Sequence, residues 1–193
     1  MTSMAYAYYD CRSLIGPPVC GEKVTNMSGT YSSCYNLTGY PVCGNNVTDM
    51  YMTYYSCENL TGSPVCGDNV RNMYETYCRC YNLTGFPICG RNVVNMMSTY
   101  FNCSNLKSNA YFYSPNITNM MNCFYNAYNK RIYLLENSTS LNTALISNTN
   151  SMVGADITWT NDMATNGCYY NTSYNMYIYP VSNVADARVR NGD

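Results

Sequence analysis

The stretch GNNVTDMYMTYYSCENLTGSPVC, residues 44–66, is one period of a repeat that occupies most of the first 129 residues of this 193-residue chain. Cysteine recurs every 23 residues in two series, leucine keeps the same period, and proline, valine, methionine and tyrosine columns run in phase with them. A fixed period of this length is typical of stacked repeat architectures, in which each unit packs on its neighbours. The period therefore predicts that equivalent side chains lie on one another in ladders. The cysteine and leucine ladders contain Cys11, Cys34, Cys57, Cys80 and Cys103; Cys20, Cys43, Cys66 and Cys89; and Leu14, Leu37, Leu60, Leu83 and Leu106.

Each unit divides into two halves with different apolar spacing. The half from Leu60 to Val65 is short and bounded by Gly and Pro, which is typical of one strand. In the other half Val47, Met50 and Tyr54 have the spacing of one helix face, which indicates a helical turn or a short 3₁₀ segment. Stacked units would bring neighbouring strands about 4.8 Å apart. The predicted fold class is an α/β repeat solenoid, a leucine-rich-repeat-like right-handed coil with one short parallel strand per 23-residue repeat.

The period also predicts the domain organisation. The solenoid is expected over residues 1–129, with a half repeat at 4–10, about five 23-residue repeats, and a one-residue insertion near Pro115. Because an open solenoid end exposes apolar ladder and unpaired strand edge, we expect the N-terminal end to dock on a partner protein or on another copy of this chain.

Residues 130–193 depart from the period and are expected to form a small C-terminal α/β capping segment. The single tryptophan, Trp159, is expected in its core. The elements predicted there are strands at 131–135, 155–159 and 175–181, a short helix over Leu141, Leu145 and Ile146, and a last helical turn over 182–189.

Composition and charge exclude several classes of function. The net charge of −1 gives no basic patch for nucleic acid, and no apolar run is long enough for membrane insertion. The opening MTSMAYAYYDC has neither the basic start nor the apolar stretch of a secretory signal. Histidine is absent, which removes the usual general base and the commonest metal ligand. The acidic residues show no paired recurrence, so we expect no enzyme activity, no catalytic residue, no metal and no cofactor.

The twelve cysteines allow three interpretations. They are buried thiols that act as small hydrophobes, or disulfides between neighbouring coils, or zinc ligands. A linear ladder spreads its thiols apart, which disfavours a tetrahedral zinc site.

Six asparagines have two interpretations. Each begins a tripeptide that matches a glycosylation acceptor, but each also has a fixed place in the repeat, where its side chain could bond the backbone of a neighbouring coil. These residues are Asn36, Asn46, Asn59, Asn82, Asn116 and Asn171.

The positions that vary between units indicate a binding surface. They follow the first Cys, precede the Pro, or follow the Met, and they carry Tyr, Phe, Ser and Asn. Rigid aromatic rings with short hydrogen-bonding side chains are typical of adaptable binding surfaces and also suit sugar rings. The alternative is that exposed tyrosine only covers a scaffold. The candidate ligand-binding face consists of Tyr35, Tyr40, Tyr51, Tyr74, Tyr81 and Phe86.

The phrase NVTDMYMTYYSCENLTG, residues 46–62, resembles the cysteine-bearing leucine-rich repeats of BspA-like surface proteins, and the resemblance covers about residues 4–129. The high Tyr and Asn content, together with the C-terminal YNMYIYPVSNVADARVRNGD, is similar to repeat proteins of bacteriophage fibres and appendages. The first resemblance implies extracellular display and adhesion, and the second implies a virion component.

These resemblances give three functional hypotheses for a non-enzymatic structural and binding protein. The first is a bacteriophage virion component, as fibre, appendage or decoration, that recognises a host surface glycan or protein. It requires no export signal, because a virion protein is released by lysis. The second is a bacterial or microbial-eukaryote adhesin at the cell surface, and the third is a purely architectural filament or fibre subunit.

Overall fold

The computed structural model describes residues 2–106, 109–112, 114, 116–127, 131–134, 169–171 and 176–180, and for the strands after residue 106 only the backbone. These residues contain five strands and no helix. The strands are β1 (Ile88–Cys89), β2 (Asn109–Phe112), β3 (Arg131–Leu134), β4 (Tyr169–Asn171) and β5 (Met176–Pro180).

The five strands form one sheet in the order β1-β2-β3-β5-β4. The first three pairings are parallel, and β4 runs antiparallel to β5. Cys89 pairs with Phe112, so the second cysteine series is continued by Phe112 in the sheet. The sheet also crosses residue 130, because Asn109 of β2 pairs with Arg131 of β3.

Units 23 residues apart lie side by side through a regular set of backbone hydrogen bonds. In the segment that begins at each Met, alternate N–H groups donate to carbonyls of the next unit, as from Met50 to Asn72 (2.9 Å) and from Tyr54 to Thr76 (2.9 Å). Parallel bridges mark the same register from Ser3 to Asn26 and onward to Asn95. The stacking of successive units through residue 127 therefore follows the predicted period. The classification as a right-handed, leucine-rich-repeat-like solenoid stays a prediction.

The core is a set of columns parallel to the stack. Each unit contributes one buried residue to each column. In the second full unit the fully buried residues are Val47, Met50, Tyr54, Cys57 and Leu60. The tyrosine column forms a continuous ring stack, with centroids 5.2 to 5.8 Å apart and ring planes within 10° of parallel. Its members are Tyr8, Tyr31, Tyr54, Tyr77, Tyr100 and Phe124.

The half of each unit predicted as a helical turn is a run of β-turns instead. Thr53 N–H donates to the Met50 carbonyl and Cys57 N–H to the Tyr54 carbonyl, whereas the N–H groups of Tyr54 and Ser56 donate to the next unit. Two residues per unit, four apart, have positive φ, as Met52 (50°) and Ser56 (56°) do. A left-handed residue interrupts a helix after one turn, so side chains keep the spacing of a helix face without forming a helix.

The half predicted as a strand is held in another way in the earlier units. The Tyr54 hydroxyl accepts a hydrogen bond from Val42 N–H (3.0 Å) and donates to the Val42 carbonyl (2.8 Å). The same pair of bonds joins Tyr31 to Val19 and Tyr77 to Val65. The hydroxyl thus satisfies both polar groups of the valine backbone, and the described units before β1 have no regular strand there.

Two of the predicted strands of the C-terminal segment are confirmed. The structure has β3 within 131–135 and β5 within 175–181. The predicted strand at 155–159, the helix over Leu141, Leu145 and Ile146, the place of Trp159 and the turn over 182–189 lie outside the described residues. The described part of the chain has no helix with the length and apolar character needed to cross a membrane.

Candidate ligand-binding face

The outward side of each turn segment is built by the residues one, two, five and six places after the Met. The inward residues of the same segments, such as Met73, Thr76 and Tyr77, are fully buried, whereas most of the outward ones are half-buried or exposed. We call this surface the outer face. Its members that matter here are Tyr51, Tyr55, Tyr74, Glu75, Cys78, Arg79, Met97, Ser98, Phe101, Asn122 and Tyr125.

Two residues of the predicted face meet on the outer face. The rings of Tyr51 and Tyr74 lie 5.3 Å apart between centroids, with planes tilted by 30°. Burial, followed by a hydrogen bond with the Glu75 carboxylate, raises the pKa of the Tyr74 hydroxyl. These tyrosines are therefore neutral at physiological pH, and Glu75 is anchored at the edge of the ring pair.

A cleft of about 300 Å³ opens beside this pair. Tyr55 and Phe101 line it, and Cys78 lies between them in the same column of the repeat. Cys78 is only 4% exposed, so it forms the floor of the cleft. Glu75, Arg79, Met97, Ser98 and Asn122 complete the lining.

The cleft is lined by one positively charged and one negatively charged side chain, Arg79 and Glu75. The guanidinium carbon of Arg79 lies 5.9 Å from the centroid of the Tyr55 ring, in the range of a cation–π contact. Arg79 is exposed and Glu75 is half-buried. On the other side of the cleft, the Phe101 ring is stacked on Tyr125 at 4.5 Å with planes 6° apart. The rings are thus fixed by neighbours before any ligand arrives.

The remaining residues of the predicted face lie in the other two variable columns. Tyr40 is 71% exposed, and its ring lies over the backbone of Gly62. Tyr35 lies beneath the guanidinium of Arg12, which also forms an ion pair with Asp10 at 2.8 Å. Tyr81 and Phe86 are half-buried. A single face that joins all six predicted residues stays a prediction.

Sequence reasoning missed Tyr55, Cys78, Phe101 and Tyr125. The signal was present, because the place five residues after the Met reads Ser32, Tyr55, Cys78, Phe101 and Tyr125. It varies as strongly as the three columns that were chosen, and the cleft lies where Cys78, a small residue, stands between Tyr55 and Phe101 in this column.

The described cysteines are free thiols. In the first series Cys57 donates to the Tyr31 carbonyl at 3.0 Å and Cys80 to the Tyr54 carbonyl at 3.0 Å. Burial raises the pKa of Cys57 and Cys80 well above the ordinary thiol value. The interpretation as buried thiols is confirmed for this series from Cys34 to Cys103. Burial also raises the pKa of Cys66, in the second series, to about 12.

The asparagine side chains of the glycosylation-like tripeptides bond to backbone. Asn36, Asn59 and Asn82 donate to carbonyls 24 residues earlier, at 2.8 to 3.0 Å, and Asn46 does the same to Glu22. The interpretation that these four are repeat ladders is confirmed. Their amide nitrogens, which glycosylation would modify, are already engaged.

Among the residues that the structure describes, no three His, Cys, Asp or Glu side chains are grouped closely enough to hold a metal ion. Comparison of the chain with protein families, with curated proteins and with solved structures found no match.

Proposed function

We propose that the chain is a repeat solenoid that serves as a non-enzymatic structural and binding protein on a bacteriophage particle, where its outer face recognises a host surface. The observation that carries the binding role is the cleft between Tyr55 and Phe101, whose rings are already stacked or paired with neighbours. A site with fixed rings pays little ordering entropy when a ligand binds. The virion setting is supported by the resemblance of the Tyr- and Asn-rich repeat to phage fibre and appendage proteins.

The rigidity of the array supports the structural part of the proposal. Each unit is joined to the next by backbone bonds, a threonine hydroxyl, a cysteine thiol and an asparagine amide, as Thr76, Cys80 and Asn82 illustrate. All of these bonds run along the direction of stacking. Such an array holds surface groups at fixed separations, which suits a recognition element that must bind a repetitive cell surface.

Binding of the purified full chain to whole bacterial cells tests this function. We expect saturable binding to cells of the host, and at least fivefold weaker binding by Tyr55→Ala, since aromatic anchors dominate interface energies. The matched control is Ile15→Ala, which removes an exposed apolar side chain outside the candidate ligand-binding face. Equal loss in both variants, or no saturable binding to any host tested, would contradict the proposal. Antibody labelling of phage particles distinguishes a virion protein from a cell-surface adhesin.

A second candidate function, an architectural filament subunit, is favoured by the backbone of the first described unit. Its N–H groups at Met4, Tyr6 and Tyr8 donate into the stack. Because a trans peptide directs its carbonyl opposite to its N–H, the carbonyls of Ser3, Ala5 and Ala7 are directed away from the stack. In every later unit the equivalent carbonyls accept bonds from the preceding unit. Another copy could supply the same row of donors.

Electron microscopy and sedimentation velocity test this second function. Head-to-tail pairing predicts rods that lengthen with protein concentration and that a bulky domain fused before residue 1 abolishes. The control is the same domain fused to residue 193 through a long flexible linker. Particles of one size at all concentrations would leave the binding function as the better account.

A further inference from the structure

We infer that the cleft above Cys78 binds one neutral pyranose ring of a surface glycan. This inference rests on the proposed binding function and names its site and ligand class. The site is defined by four lining side chains: the rings of Tyr55 and Phe101, the carboxylate of Glu75 and the guanidinium of Arg79.

The width of the cleft follows from the repeat. Tyr55 and Phe101 occupy the same place in units two apart, and Cys78 occupies that place between them. Successive units in this region are 5.5 and 5.8 Å apart along the buried tyrosine stack, so the two rings are separated by roughly two such spacings. A ring-shaped guest stacks on the Phe101 ring at a spacing close to one of these intervals, while the Arg79 guanidinium lies over the Tyr55 ring. The missing aromatic side chain at Cys78 therefore leaves room for one ring.

The volume and the lining fit a sugar better than a purely aromatic guest. A cleft of about 300 Å³ is at the small end of ligand sites, the size for one or two sugar units. A pyranose offers an apolar C–H face to Phe101 and a rim of hydroxyls. The Glu75 carboxylate accepts hydrogen bonds from such hydroxyls, and the Arg79 guanidinium and the Asn122 amide donate to them.

The charges select a neutral sugar. Glu75 and Arg79 are the charged side chains of the lining, and their opposite charges cancel. A charged sugar that pairs with one of these two side chains still places its charge in the same cleft as the side chain of like charge. Like charges in a cleft cost free energy that a neutral hydroxyl does not incur.

Ligand-observed NMR and titration calorimetry with the full chain test the inference. The panel contains methyl glycosides of glucose, mannose and galactose, N-acetylglucosamine, glucuronic acid, N-acetylneuraminic acid and glucosamine. We expect at least one neutral sugar to bind, and glucuronic acid and glucosamine to bind about tenfold more weakly or not at all.

Four variants locate the site, and the repeat itself supplies replacements that the backbone accepts. Cys78→Phe fills the gap with the residue type found at Phe101 and should abolish sugar binding, whereas Cys78→Ser keeps the gap and should retain it. Arg79→Asn copies Asn102 and should weaken binding by about five- to tenfold through loss of a charged donor. Glu75→Ser copies Ser98 and should reverse the selectivity, so that glucuronic acid binds at least as tightly as the neutral sugars.

The outcomes separate the inference from the function on which it rests. Sugar binding unchanged in Cys78→Phe, or absent in the wild-type chain while whole-cell binding persists, overturns the inference and leaves the proposed function standing. Absence of both sugar binding and cell binding overturns both. If Cys78→Phe fails to fold, the sugar selectivity of Glu75→Ser tests the inference instead. A purely structural role for Glu75 would not make glucuronic acid bind as tightly as the neutral sugars.

Discussion

In the units before β1, the valine that precedes the second-series cysteine bonds to a tyrosine hydroxyl, whereas at residues 109–112 the equivalent segment is strand β2 and bonds to β1 and β3. The buried ring column runs through both regions, but it ends in Phe124, which has no hydroxyl, in the unit of β2. The transition unit has both features, since Tyr100 bonds to Ile88 of β1.

The comparison teaches that one hydroxyl can satisfy a buried backbone position where no strand pairing is present. A buried valine backbone must satisfy its N–H and its carbonyl, and a tyrosine hydroxyl can both accept and donate. Before β1 the hydroxyl is the partner of this position and no regular strand forms. At β1 the Tyr100 hydroxyl and the pairing with β2 occur together, and in the unit of Phe124 only the sheet pairing remains.

The largest effect is expected at alkaline pH. Burial raises the pKa of Cys43 to about 11 and of Cys66 to about 12, and it raises the pKa of Tyr54 and Tyr77 well above the ordinary phenol value. Below about pH 9 these groups are protonated in both the folded and the unfolded chain, so the free energy of unfolding does not depend on their ionisation. Above about pH 9 only the unfolded chain releases these protons, and the free energy of unfolding falls until the pH reaches the pKa values of the folded chain.

Each pKa unit of difference corresponds to about 1.4 kcal/mol. Several such groups together reach the order of the 5–15 kcal/mol by which typical domains are stable. We therefore expect cooperative unfolding between about pH 9 and pH 12. The tyrosines that are buried in the folded chain should ionise in the same step as the circular dichroism signal is lost. Tyrosine titration that proceeds gradually with unchanged circular dichroism would contradict the role of burial.

The next effect exchanges the ring types of the two regions. Tyr77→Phe keeps the stack but leaves the N–H and carbonyl of Val65 without the hydroxyl that binds them at 3.0 and 2.7 Å. We expect a loss of about 1–3 kcal/mol in the free energy of unfolding, measured by denaturant titration. The matched control is Phe124→Tyr, which brings a hydroxyl to a unit whose backbone is already paired in the sheet.

Phe124→Tyr should not stabilise the chain, and we expect a smaller loss of about 1 kcal/mol from the buried hydroxyl. A gain from Phe124→Tyr, or no cost from Tyr77→Phe, would mean that the hydroxyl is not what satisfies the valine backbone in the earlier units.

The comparison also shows how far the sequence determines the fold. The period predicts which side chains stack, because burial in a repeat requires the same residue at the same place, as for Met50 and Met73. It does not predict how the backbone is bonded, since Val65 has the same apolar side chain whether its N–H meets a strand or the Tyr77 hydroxyl. The positive-φ residues are equally hidden, because Tyr6, Met52 and Glu75 share no side-chain property.

For the candidate site, the variable columns predicted Tyr51 and Tyr74, whose ring contact the structure shows. The cleft could not be derived in the same way. It depends on a small residue between two rings, and Cys78 in the sequence CRC reads as one more member of a cysteine-rich chain.

A third effect concerns the glycine column, which occurs in the first region and whose next place, in the unit of β2, is Ser108. Gly62 has a φ of 80°, and an added Cβ would lie 2.0 Å from the Tyr40 ring. We expect Gly62→Ala to cost about 1–2 kcal/mol from the left-handed backbone alone, and more from displacement of the ring. In a Tyr40→Ala background only the backbone cost should remain. Equal costs in both backgrounds, measured by denaturant titration, would show that the ring does not rest on Gly62.

The smallest effect uses the left-handed positions, where the two regions differ in residue type. In the unit of β2 both positions are asparagine, Asn122 (57°) and Asn126 (54°), whereas the second full unit has Met52 (50°) and Ser56 (56°). Asparagine tolerates this conformation better than other side chains with a Cβ. Met52→Asn should therefore raise the free energy of unfolding by about 0.5 kcal/mol, and the matched Asn122→Met should lower it by a similar amount.

Because Met52 is half-buried, Met52→Asn also loses some apolar contact, and Met52→Gly serves to separate the two contributions. Glycine removes the backbone strain as well, but it loses more conformational entropy on folding, by about 0.5–1 kcal/mol. The expected order of stability is Asn above Met and Met close to Gly. If Met52→Asn is less stable than the wild-type chain while Asn122→Met is neutral, packing decides these positions and the backbone conformation does not; the two regions would then differ in their hydroxyl bonding alone.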